Sequence, residues 1–226
     1  MAALMKQTPA HEVVNRDLLA LMPLDARRVV EVGCMHGALA EAYRALNPTA
    51  HYTGIDIDPE YARVAAARCD LALPGDIEQF EPAVFEALFP SDCWVFGDCL
   101  EHLRDPWRIV RAIRERIASG GSLLVCIPNA QHWSVQMRLA TGAFRYEDSG
   151  LLDRTHLRWF TRITLFEMFQ QAGWRIENAI ARRVPATPPP ELMEGIRAIA
   201  RAAGADAEQA VADAEVFQYL FRLRAG

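Results

Sequence analysis

The chain has 226 residues, with 24 Lys+Arg against 29 Asp+Glu for a net charge of -5, 51% hydrophobic and 23% charged. That composition excludes a disordered chain and leaves room for one full hydrophobic core. The acidic balance gives a general nucleic-acid-binding surface no support, and no stretch approaches the roughly 18 apolar residues of a membrane span. The start, MAALMKQTPAHEVVNRD, lacks the apolar core and cleavage site of a secretory signal. Five cysteines at 34, 69, 93, 99 and 126 form no CxxC pair, which suits a reducing compartment, so the cytoplasm is expected. Of the 24 basic residues only Lys6 is lysine; the arginine excess reads first as compositional bias.

In chain order, residues 11–21 read as an amphipathic helix stopped before Pro23, and 26–33 as a short β-branched strand ending in glycine. A helix over 37–46, a strand over 51–57 and a helix over 59–68 with proline at its first position follow. LALPGD at 71–76 reads as a third strand, 82–89 as helical and DCWVFGD at 92–98 as a fourth strand. The spacing of Ile109, Ile113 and Ile117 predicts a helix over 106–119, and SLLVCIP at 122–128 is the most hydrophobic strand. After an irregular, aromatic- and histidine-rich run over 129–160, a helix over 161–173 begins at Thr161 and stops at Gly173. A strand over 174–184, an alanine-rich helical region over 191–214 and a strand over 216–223 complete the reading. Repeated strand–helix units with such short apolar strands predict a mostly parallel seven-stranded sheet with helices on both faces, an α/β fold.

The strongest local signal is VVEVGCMHG at 29–37, where a strand runs through Glu31 into Gly33 and Gly37 just before a helix. Such a turn lets a ligand approach backbone N–H groups closely. Asp56 closes the second strand, and a carboxylate there can accept from a ribose diol. Asp76 follows the third strand, where it can accept from an adenine amine. Ligands of open α/β sheets bind at such carboxyl ends. The fingerprint G-x-G-x-x-G of nicotinamide enzymes is absent, because this chain reads G-C-M-H-G.

In these motifs the sequence resembles the class I S-adenosylmethionine-dependent methyltransferases, which have a Rossmann-like fold. VVEVGCMHG, YTGIDIDPE, LPGDIEQF, DCWVFGDCLEHLRDPW and IASGGSLLVCIPN follow in order over about 25–183. The resemblance implies S-adenosyl-L-methionine as cofactor, with Glu31, Gly33, Met35, His36 and Gly37 shaping the methionine end. It implies Asp56 and Ile57 at the ribose, Asp76 and Ile77 at adenine, and Asp98 facing the cofactor's methionine portion or the reacting centre. Met35 stands where the usual motif has a glycine, and its side chain can crowd the cofactor.

The run PNAQHWSVQMRLATGAFRYEDSGLLDRTHLRWFT at 128–161 resembles a narrower bacterial subgroup associated with glycan or natural-product biosynthesis and related to quinone-pathway methyltransferases. Its density of aromatic and ionisable groups predicts an acceptor lid over 129–160. His102, Trp133, Arg138, Arg145, Tyr146, Arg154 and Arg158 are the expected acceptor contacts, and the arginines allow for an anionic acceptor. The expected base for a hydroxyl is His156, with Asp153 orienting it and His132 the next choice. His102, Asp98 and Asp153 fit no strict ligand spacing, so no metal is expected.

The reading is a small-molecule O-methyltransferase acting on a sugar or natural-product intermediate. An N-methyltransferase of an amine and a non-catalytic domain of the same fold are the alternatives. The chain divides into a helical segment 1–24, a core 25–184 including the lid, a helical insertion 185–214 and a final core strand 215–226. The expected partner is the small-molecule acceptor; neither nucleic acid nor a membrane is expected, and a homodimer is allowed for.

Overall fold

The computed structural model describes residues 8–226; Lys6 and the beginning of the expected segment 1–24 lie outside the described residues. Seven strands form one sheet: β1 (Arg28–Val32), β2 (His51–Asp56), β3 (Leu71–Pro74), β4 (Cys93–Gly97), β5 (Ser122–Pro128), β6 (Trp174–Arg182) and β7 (Gln218–Ala225). Their order is β3-β2-β1-β4-β5-β7-β6. The first five pair in parallel, whereas β7 inserts antiparallel between β5 and β6, with Ser122 opposite Arg224 and Pro128 opposite Gln218. The α/β, mostly parallel seven-stranded architecture expected from the sequence is therefore the one observed.

The apolar runs of β1, β4 and β5 are continuous because both sheet faces are covered. On one face Val30, Val32, Trp94, Phe96, Leu123, Val125 and Ile127 form one core. They pack with α5 (Pro106–Arg116), through Ile109, Val110 and Ile113, and with α7 (Arg162–Gln171), through Leu165, Met168 and Phe169. On the other face Val29, Cys93, Val95, Leu124 and Cys126 meet α1 (Arg16–Leu21), α2 (Ala38–Leu46) and α3 (Pro59–Ala65). Helix α7 starts where expected: Thr161 and Thr164 close a reciprocal capping box.

Several elements differ from the sequence expectations, each for a local reason. The helix expected over 11–21 begins only at Arg16, where Asn15 accepts from the Leu18 N–H at 3.1 Å. The preceding residues run along α3 instead, the Ala10 N–H donating to the Tyr61 hydroxyl at 3.1 Å and Glu12 pairing with Arg68. The helix expected over 82–89 is only α4 (Pro82–Glu86). Residues 129–160 hold a helix the sequence did not announce, α6 (Trp133–Ala140), capped by His132, an uncommon capping residue. The alanine-rich region is two helices, α8 (Pro190–Ala202) and α9 (Ala207–Ala214), parted at Gly204 and restarted by the Asp206 cap. Met193, Ile196 and Ala214 of this pair pack on Trp133. Among the described residues no helix is long and apolar enough to cross a membrane.

Candidate functional site

The strand order reverses between β1 and β4, and open α/β sheets bind ligands at such a switch point, beyond the strands' carboxyl ends. A cavity of about 370 Å³ opens there. Its wall comes from the β1 end (Val32, Gly33, Met35), the β2 end (Asp56, Ile57), the β3 end (Gly75 to Glu78) and the β4 end (Asp98, Cys99, His102 to Arg104). Thr8 and Tyr61 close one side, and Thr155 and Leu157 of the 129–160 segment another.

Asp56 is the best-anchored group on this wall. It is 6% exposed; one carboxylate oxygen accepts from the Met35 N–H at 2.8 Å and the other from the Asp58 N–H at 2.9 Å. Burial raises its pKa, and those two N–H donors oppose the rise. A carboxylate accepts about four hydrogen bonds, so roughly two sites remain for a diol. Asp76 is more committed: it accepts from the Glu78 N–H at 2.9 Å, Gln79 Nε2 at 2.6 Å and Arg104 Nη1 at 3.0 Å. Burial works to raise its pKa, yet these donors outweigh it and hold the carboxyl below its ordinary value. Ile77, buried beside it, is an apolar face for a flat ring.

The β1 turn is tight. Gly33 has φ 78° and Met35, where a side chain is costly, has φ 47°. Met35→Gly should therefore stabilise the turn by up to about 1 kcal/mol while clearing the wall. Calorimetry should show the demethylated cofactor, S-adenosylhomocysteine, binding several-fold tighter; a tenfold loss would contradict this reading of Met35.

The other β1-turn candidates stand off the wall. Glu31 is buried and accepts from the Tyr52 hydroxyl at 2.9 Å, and burial pushes its pKa up to about 8. A carboxyl whose pKa is raised on folding stabilises most below its unfolded value near 4.5, and that contribution is lost as pH climbs toward 8. Wild-type thermal stability should thus fall between about pH 5 and 8 by at most ~1.4 kcal/mol per unit. Glu31→Gln, which keeps the acceptor for Tyr52, should flatten that slope; parallel curves for the two proteins would contradict it. His36 pairs with Glu12 at 2.9 Å, and Gly37 opens α2.

Of the expected acceptor contacts, His102 is on the wall. Its Nδ1 lies 3.0 Å from Thr155 Oγ1 and 3.2 Å from the Thr155 carbonyl. His156 sits behind it, ring centroids 4.8 Å apart, with Nδ1 at 3.3 Å from the Leu151 carbonyl. Burial, then the neighbouring His102, pushes the His156 pKa down to about 4. Asp153 is buried and holds Thr155 through N–H and hydroxyl at 2.8 and 2.6 Å. It also accepts from the Thr8 hydroxyl at 2.9 Å. Asp153 thus fixes the loop between the two histidines rather than bonding to either ring. His132 is remote from the wall: it caps α6, packs on Trp133 and Phe217, and burial lowers its pKa to about 4.

The expected arginine clamp is mostly occupied elsewhere. Arg138 pairs with Glu147 at 2.5 Å, Arg154 with Asp148 at 2.7 Å, and Arg158 donates to the Arg104 carbonyl over the Trp107 ring. Arg145 and Tyr146 are exposed and off the wall. The guanidinium on the wall is Arg104, which the sequence reading passed over together with Thr8, Tyr61 and Thr155. Another omission is Glu101, 1% exposed, with both carboxylate oxygens lacking a hydrogen-bond partner. Its place in CLEHL, between Leu100 and the expected acceptor contact His102, was the available signal. Asp98 has φ 52° and accepts from Gln218 Nε2 at 2.5 Å, which ties it to β7.

A family model described as a methyltransferase domain matches residues 6–179. The chain is 33% identical over 129 residues to a ubiquinone biosynthesis O-methyltransferase of Xylella fastidiosa (strain 9a5c), covering 54% of this chain and 52% of that protein. It therefore spans about half the length of the curated relative it matches. Among solved structures, an S-adenosylmethionine-dependent methyltransferase from Mesorhizobium loti aligns with TM-score 0.58 at 16% identity, covering 92% of this chain and 96% of the other. The mitomycin 7-O-methyltransferase MmcR aligns with TM-score 0.57 at 16% identity, over 92% of this chain and 52% of the other. These two likenesses are of fold.

Proposed function

Because the chain belongs to the methyltransferase-domain family and carries the class I fold, whose cofactor is S-adenosylmethionine, we propose that it methylates a hydroxyl of a small molecule. The observation that carries this reading is the convergence of Asp56, Asp76 and Ile77, Asp98 and His102 on one cavity wall. Asp56 accepts the ribose hydroxyls, Ile77 lies against the adenine, and the last free lone pair of Asp76 takes the exocyclic amine. When bound, the cofactor supplies a methyl group already activated on a sulfonium. The chain's own task is alignment and exclusion of water.

Residues 129–160 form the acceptor lid, held down by the Asp153–Thr155–Thr8 hydrogen bonds. An acceptor hydroxyl loses its proton at the wall formed by His102, with His156 behind it. The acceptor is a sugar or natural-product intermediate. All five cysteines are free and buried, which supports a cytoplasmic site of action.

The test is His102→Ala. Assistance to deprotonation is worth on the order of 100-fold or more in rate, so turnover should fall by that much while S-adenosylhomocysteine affinity stays within a few-fold. An amine binding uncharged needs no such help, so near-wild-type turnover would favour N-methylation and overturn the hydroxyl reading.

A further inference from the structure

Behind the cavity wall, Glu101, His102 and His156 each offer a ligand atom, and these atoms lie within 4.8 Å of one another. Glu101 is in the short 3-10 turn Leu100–His102 after β4. Its backbone carbonyl is satisfied by the N–H groups of Leu157 and Arg158 at 2.8 and 2.9 Å, which bring the lid segment against this turn. Its carboxylate has no partner although the side chain is 1% exposed. Leaving such a group unmatched costs several kcal/mol, roughly, so native structures normally supply one.

The two imidazoles are set up as ligands. A backbone carbonyl only accepts, so Nδ1–H of His156 donates to Leu151 and Nδ1–H of His102 to Thr155. Each ring then presents its Nε2 lone pair. This outer hydrogen bond to Nδ1 is how metal-bound histidines are oriented. His156 Nε2 is 3.9 Å from Glu101 Oε1. Around a tetrahedral ion with bonds of about 2.1 Å, ligand atoms stand roughly 3.4 Å apart. The set therefore closes on an ion with shifts of about 1.5 Å at most.

We infer that Glu101, His102 and His156 form a three-ligand site for a first-row transition dication of the zinc class. Two imidazoles and one carboxylate favour such an ion over magnesium or calcium, which take oxygen donors. Three protein ligands leave a fourth position open, and His102 lies on the cavity wall. The inference rests on the hydroxyl reading and deepens it: a hydroxyl at the open position is acidified by the cation and gives its proton to solvent. Spacing along the chain hides the site, because its ligands come from the β4 turn and from the lid.

The experiment titrates the chelator-stripped full chain with Zn²⁺ by calorimetry and with Co²⁺ by visible absorption, with S-adenosylhomocysteine titrated in parallel. One equivalent of Zn²⁺ should bind, and Co²⁺ should give ligand-field bands without thiolate charge transfer, since the three ligands are two imidazoles and a carboxylate. Glu101→Gln and His156→Asn should each weaken Zn²⁺ binding at least about tenfold, with S-adenosylhomocysteine affinity unchanged. No Zn²⁺ binding at millimolar concentration, or wild-type affinity in both variants, overturns the metal site. Loss of S-adenosylhomocysteine binding by the wild type would instead overturn the methyltransferase reading and leave the metal result standing.

Discussion

Asp56→Ala should weaken S-adenosylhomocysteine binding by about 100-fold or more, because a buried carboxylate hydrogen-bonded to a ligand is worth about 3 kcal/mol. The substitution also frees the Met35 N–H that Asp56 fixes at 2.8 Å, so the β1 turn loses its anchor to β2. Asp56→Asn keeps an acceptor for one N–H but cannot serve both, and should fall between wild type and alanine. Calorimetry reads the affinities directly, and the circular dichroism spectrum of each variant reports whether the sheet persists. Wild-type affinity in a folded Asp56→Ala protein would remove the ribose from this wall.

The second large effect is expected at Asp153, which ties three points together: the Thr155 N–H, the Thr155 hydroxyl and the Thr8 hydroxyl. Alanine leaves these donors without their acceptor under a buried position, at a cost of roughly 2–4 kcal/mol in lid order. Methyl transfer should drop at least about 100-fold, through misplacement of the histidine wall. Cofactor affinity should fall less, since Asp153 itself is not among the cavity-lining residues. The pH dependence has a definite sign. Burial works against the charge, but the Thr155 and Thr8 hydrogen bonds outweigh it and lower the Asp153 pKa. Its contribution is therefore present above the ordinary value of 3.8 and is lost as pH falls through the lower folded one. Wild-type stability should therefore fall more steeply as pH drops below 3.8 than that of Asp153→Ala, which lacks this contribution at every pH; parallel acid curves for the two proteins would contradict it.

The strand ends were legible because buried parallel strands read as short β-branched runs, and acidic residues following such runs stand out. Asp56 and Asp76 were placed this way, and both are on the cavity wall. What lay hidden depends on contacts between distant segments. The lid contact at Glu101 is of this kind: the distant Leu157 and Arg158 N–H groups bond its backbone carbonyl. The arginines of the lid looked like an anion clamp because their acidic partners, Glu147 and Asp148, were counted as separate residues. His132 was a candidate base because it lies in the segment expected over the pocket, yet it serves as the cap of α6. Thr8 reaches the lid across most of the chain, a proximity that no local pattern encodes.

The most direct measurement is the fate of a ¹³C-labelled methyl group from S-adenosylmethionine, followed by NMR in a panel of nucleotide sugars and hydroxylated natural-product intermediates. A new methyl-ether resonance should appear with the wild-type protein and be lost with Asp56→Ala and His102→Ala. A label arriving on nitrogen, or an ether formed equally well by the His102→Ala protein, would contradict it.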